Sequence, residues 1–106
     1  VGGTGGAGGG EPLRVGGDVK APVLTSRVEP QYPEAARKAR MEGVVILEAI
    51  ITADGNVEDV RVLKSVNPLL DASAVRAVQA WKYKPATLNG RAVRVYLTVT
   101  VTFRLN

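Results

Sequence analysis

The chain has 106 residues, 45% of them hydrophobic and 23% charged, with a net charge of +4 and neither cysteine nor histidine. One small domain of ordinary soluble composition fits in that length. A disulfide framework is excluded, and the residue types most used as general bases, thiol nucleophiles and metal ligands are missing.

Seven glycines in residues 1–10 read as a flexible linker with an r.m.s. span of roughly 17 Å. No strand pattern precedes them and no Gly-Lys-Ser/Thr follows, so they do not read as a phosphate loop. The chain opens at Val1 rather than Met and reads as a piece cut from a longer protein, with any signal or anchor upstream. Residues 11–27 carry Leu13, Val15, Val19, Val23 and Leu24 among Pro12, Gly16-Gly17 and Pro22. The prolines oppose a helix and favour extended backbone. This lead-in is expected either as an extra strand lying along the domain or as disordered chain, a choice left open here.

A domain over residues 28–106 follows. Pro33 to Glu42 reads as a short helix with Pro33 at its first position, Gly43 as its left-handed cap and Arg37, Lys38 and Arg40 toward its C-terminal end. Its buried stripe is Ala35 or Ala36 with Ala39. Val44–Ala53 and Val57–Lys64 read as two strands of a hairpin closed by Asp54-Gly55-Asn56. The first is apolar on both faces, as suits a central strand. Asn67 and Pro68 supply an N-cap and a first helical residue, and Leu70, Ala74, Ala77, Val78 and Trp81 form one face of a second helix. Lys84-Pro85 is expected to stop it. After an Asn89-Gly90 turn, residues 92–105 alternate strictly, with Val93, Val95, Leu97, Val99, Val101, Phe103 and Leu105 on one face. Fully extended this strand would span roughly 46 Å, longer than its partners. Part of it should therefore lack a partner from the main sheet and be open to strand addition.

The expected fold is α+β: a three-stranded, hairpin-based sheet in order 2-1-3, both helices on one face and a possible extra N-terminal strand. The third strand lies at an edge. The basic residues are scattered and read as solvated faces, with an anionic surface such as a cell-wall polymer or lipid headgroups as the second reading. Few aromatics accompany them, so nucleic acid is not the expected partner. The carboxylates are dispersed, Asp54 and Asp71 read as turn and helix-start residues, and no serine has a base nearby. No enzyme activity, cofactor or metal is expected.

Several short runs occur together: Pro30-Gln31-Tyr32-Pro33, Glu42-Gly43-Val44, Asp54-Gly55, Val62-Leu63-Lys64-Ser65, Leu70-Asp71, Trp81-Lys82-Tyr83-Lys84-Pro85-Ala86 and Phe103-Arg104-Leu105-Asn106. In this combination residues 28–106 resemble the TonB C-terminal domain family, the energy transducer of Gram-negative bacteria. The resemblance implies a periplasmic domain tethered through a linker to the inner membrane, where a proton-driven motor complex acts on it. It implies binding of an outer-membrane receptor's N-terminal box, added as a β-strand beside the last strand, with force transmitted for uptake of large nutrients. Carried onto this chain, the partner-binding residues are Gln31, Tyr32, Val95, Tyr96, Leu97, Thr98, Val99, Thr100 and Val101. Tyr32 is equally readable as a staple that fixes the start of the first helix. Two features depart from the familiar pattern: a longer last strand with a Thr87–Val93 lead-in, and the upstream Leu13–Leu24 segment. Where it is a strand rather than disordered chain, that segment can lie against an exposed edge, its own or that of a second copy in a dimer. The alternatives are a TonB-like adaptor on another membrane protein, such as a sensor or metallopeptidase, a cell-wall-binding module, and, further off, a salt-sensitive nucleic-acid-binding domain.

Overall fold

A computed structural model describes residues 11–105; the glycine-rich stretch expected as a linker lies outside them. In chain order the elements are β1 (Leu13–Arg14), β2 (Val19–Lys20), β3 (Val23–Ser26), α1 (Glu34–Lys38), β4 (Gly43–Ile51), β5 (Val57–Lys64), α2 (Pro68–Gln79), β6 (Lys82–Lys84), β7 (Ala86–Leu88), β8 (Arg91–Val93) and β9 (Val95–Phe103). The main sheet runs β1-β9-β4-β5. Its three long strands thus have the 2-1-3 order expected from the hairpin and the helical crossover. β4 is central, antiparallel to β5 and, over nine unbroken pairs from Gly43↔Phe103 to Ile51↔Val95, antiparallel to β9.

Alternation on β4 explains the packing. Val45, Leu47, Ala49 and Ile51 are fully buried and form the core with Leu70, Ala74 and Val78 of α2, Ala36 of α1 and Val95, Val99, Val101 and Phe103 of β9. Both helices therefore lie on one face. α2 is capped as its sequence suggests: the Asn67 side chain accepts from the Leu69 N–H at 2.8 Å and Pro68 opens the helix. The Asp71 carboxylate closes the loop before it, accepting from the N–H groups of Val66 (3.1 Å) and Asn67 (3.4 Å) and from the Ser65 hydroxyl. Burial works against that charge, but the three donors outweigh it and hold the Asp71 carboxyl below its ordinary value. Asp71→Ala should lower stability by about 1–2 kcal/mol in urea unfolding at neutral pH. Because the folded-state pKa is depressed, this contribution is complete above the ordinary aspartate value and is lost as pH falls through the depressed one. The difference between variant and parent should shrink in that acid window.

Several boundaries differ from the sequence expectation. α1 ends at Lys38, in a Schellman arrangement: Met41 N–H donates to Ala36 C=O (2.9 Å), Arg40 N–H to Arg37 C=O (3.0 Å), and Arg40 itself takes the left-handed position at φ 56°. Gly43, expected as that cap, instead begins β4. The 52–56 connection is a β-turn with Gly55 N–H on Thr52 C=O (2.9 Å), followed by Gly55 at φ 88°. This is a three-residue loop, 53–55, closed by a glycine bulge. In β5, Asp59 at φ 50° is an extra residue: Glu58 opposes Ile50 while Arg61 opposes Glu48.

α2 stops at Gln79, short of Trp81, and Lys82–Lys84 is a strand because β3 is there to pair with it. Trp81 is buried, donating its indole N–H to Val28 C=O (2.8 Å) under the Arg27 guanidinium, as fits a core anchor. The last strand is also divided. Residues 91–93 turn back through Asn89 (φ 52°) and Gly90 (φ 82°), a type I′ pair, to form β8 on β7. The surplus length at that end is thus not open; it builds a second small sheet, β2-β7-β8. All three short strands of the lead-in have partners: β1 on β9, β2 on β7 and β3 on β6.

Candidate functional site: the outer edge of β9

β1 runs parallel to β9 and covers only its beginning, with Leu13 opposite Val95 and Arg14 opposite Tyr96. Leu13 N–H donates to Arg94 C=O at 2.9 Å. Backbone groups alternate sides along a strand, so this bond sets the parity of β9. The N–H and C=O of even-numbered residues point outward, and those of odd-numbered residues point to β4. Past Tyr96 the outward groups belong to Thr98, Thr100 and Thr102, and among the described residues no strand pairs with them. Their side chains are exposed on the sheet face away from the helices.

That face is organised in rows across three strands: Glu58–Ile50–Tyr96, Arg61–Glu48–Thr98 and Lys64–Ile46–Thr100. Glu48 is the only acid on β4. Its side chain is just 12% exposed and is bridged by Arg14 (2.9 Å) and Arg61 (2.9 Å). The hydrogen bond from Arg14, together with the charge of both arginines, holds the Glu48 carboxyl below its ordinary value in spite of burial. Arg14 also lies over the Tyr96 ring, 4.1 Å from its centroid, and the Tyr96 hydroxyl donates to Glu11 (2.8 Å). The bond to Glu11, aided by burial, raises the Tyr96 pKa. β1 is thus fastened to the edge by the side chains of Arg14 and the adjacent Glu11 as well as by backbone. Arg94, where β8 gives way to β9, reaches across to Glu58 through two nitrogens (2.6 and 3.1 Å).

The nine residues singled out from sequence are distributed unequally. Val95, Val99 and Val101 are buried in the core and Leu97 packs against it. By parity their backbone groups face β4. Tyr96, Thr98 and Thr100 face the edge, Tyr96 already against β1. Tyr32 sits at the far end of β9, its ring edge-on to Phe103 (centroids 5.5 Å apart) and its hydroxyl donating to Met41 C=O. Gln31 is elsewhere: its carbonyl accepts from the buried Ser73 hydroxyl, and it lines a groove beside α2 with Ser73 and Arg76. Thr102 shares the outward parity and extends the row one step past Val101, where the partner-binding range expected from sequence ends; the alternation alone leaves register, and hence parity, open. Arg14, Glu48 and Glu11 were also missed; the lone acid on an otherwise apolar β4 was the available signal.

Fold and edge together define a small α+β domain whose last strand is an edge covered only at its start by the chain's own N-terminal segment. The family model for the Gram-negative bacterial TonB protein C-terminal matches residues 28–105. Protein TonB of Vibrio cholerae serotype O1 is 34% identical over 87 residues, 81% of this chain and 36% of that protein. Protein TonB of Xanthomonas campestris pv. campestris strain B100 is 42% identical over 78 residues, 73% of this chain and 35% of that protein. The solution NMR structure of the Pseudomonas aeruginosa TonB CTD superposes with a TM-score of 0.67 at 29% identity, covering 84% of this chain and 88% of that one. The chain belongs to the TonB C-terminal family of energy transducers. It spans about a third of the length of these two relatives.

Proposed function

We propose that this chain is the receptor-binding end of a TonB-type transducer, and that it takes an outer-membrane receptor's N-terminal box as an added strand on β9. The observation that carries this reading is the outward row of Thr98, Thr100 and Thr102, continuous with the edge on which β1 already pairs. In the whole protein the domain, residues 28–106 with the 11–27 lead-in fastened to it and 1–10 as linker, works in the periplasm. It is tethered to the inner membrane and pulled there by a proton-driven motor complex.

Three outward residues offer six backbone groups. At about 1 kcal/mol net per hydrogen bond, they must offset the association and ordering costs of a peptide. Micromolar or weaker binding follows, as suits a coupler that must let go. The test is an NMR titration of the isotope-labelled chain with synthetic receptor-box peptides. The expected result is shifts concentrated on amides 96–103, largest at Thr98, Thr100 and Thr102. Shifts confined to the Gln31–Arg76 groove, or none with any box, would overturn the reading.

A further inference from the structure

We propose that β1 is a built-in competitor for the same edge, so that the length of β9 open to a partner is set by whether Arg14 is seated on Glu48 and Tyr96. The proposal rests on the strand-addition reading above. Three observations carry it. First, β1 uses the outward backbone of Arg94 and Tyr96, the same row of groups that continues through Thr98 to Thr102. A peptide pairing along the whole row cannot coexist with β1, whereas one confined to Thr98–Thr102 can. Second, β1 is only two residues long, and its own backbone offers too few bonds to be a permanent strand. Its hold depends on the ion pair from Arg14 to Glu48, the stacking of Arg14 on Tyr96 and the hydrogen bond from Tyr96 to Glu11. Third, Arg61 bridges Glu48 independently of Arg14, so opening does not strand a largely buried carboxylate.

Those contacts make β1 a latch of modest strength. Ion pairs and cation–π contacts at such half-exposed sites shift an equilibrium by small factors each, which leaves the latch closed at rest yet displaceable by a longer strand. The partner it regulates is an extended peptide of about nine residues or more, the length needed to pair from Thr102 back to Arg94.

The experiment compares the 106-residue chain with its Arg14→Ala variant. Arg14 has a side chain 70% exposed, so the variant retains the fold; an unchanged unfolding midpoint within error of a surface substitution checks this. The probes are synthetic ten-residue receptor-box peptides and five-residue truncations of those that bind. The long peptides should bind the variant about threefold to tenfold more tightly, with the truncations unchanged. Amide exchange at Tyr96 should quicken in the peptide-free variant. Equal affinity of long peptides for both chains would overturn the latch while leaving strand addition standing. A gain shared by the truncations would also overturn it, since the effect would then not be competition for residues 94–96. Absence of binding to either chain would overturn strand addition, and the latch with it.

Discussion

Gly55→Ala should destabilise the fold by about 3 kcal/mol or more, a large share of the stability of a small domain. A Cβ at Gly55 would lie 1.9 Å from the Tyr83 carbonyl oxygen and 3.0 Å from its carbon. Both are backbone atoms and neither can swing aside. The contact is close because the turn is tied to β6: Tyr83 N–H donates to Gly55 C=O at 2.8 Å, and Asn56 bridges to Lys82. Relieving the clash means giving up that tie or pulling β6 away from β3. Gly55 also sits at φ 88°, where an L-residue is strained regardless of space. Gly90→Ala separates the two effects. Gly90 has φ 82° but nothing within 4 Å of an added Cβ, so that variant should show strain alone, about 1 kcal/mol. Urea unfolding of both variants measures the difference; equal midpoints would show that the approach to Tyr83 is unimportant.

The second large effect is on binding. Thr100→Pro removes an outward N–H in the middle of the free row and places a ring where a partner's backbone would lie. Receptor-box affinity should fall about 10- to 100-fold. Stability should change little, because a proline whose lost N–H faces away from the sheet is the kind that edge strands accept, and Val99 before it is already extended. Val99→Pro is the contrasting substitution. By parity it deletes a bond to β4 and should cost about 3 kcal/mol or more of stability. If Thr100→Pro unfolds the domain and Val99→Pro does not, the parity assigned to β9 is reversed.

Local signals in the sequence were sufficient for the start of α2, the β4–β5 hairpin and the central strand. Asn67-Pro68 capped α2, Asp54-Gly55 closed the hairpin, and the two-sided apolar Val44–Ile51 run became the central strand. With those fixed, the crossover through α2 dictated the order of the three long strands. Apart from the end of α1, the differences arose where a distant segment decides. Lys82-Tyr83-Lys84 is strand because Val23–Ser26 pairs with it from more than 50 residues upstream. The alternation from Ala92 to Leu105 carried no sign of the break at Arg94, where one part pairs with β7 and the other with β4. Arg40 holds a position that usually goes to glycine, so propensity alone moved the helix end three residues on, to Gly43. At the candidate site, sequence marked the strand but not which of its alternating residues face outward. That depended on a single bond from Leu13, in the segment whose placement had been left open.

The route of the lead-in has a mechanical consequence. Between Glu11 and Ser26 it is fastened in three places, by strands of two, two and four residues, each on a different partner. Tension arriving at the N-terminal end meets these fasteners in series, with the helices and the long strands of the core behind them. Freed in turn, the segment would release about 16 residues of chain, a contour of roughly 53 Å when extended. Under the pulling proposed above, that length would act as an extension reserve, lengthening the domain's reach while its folded part stays intact.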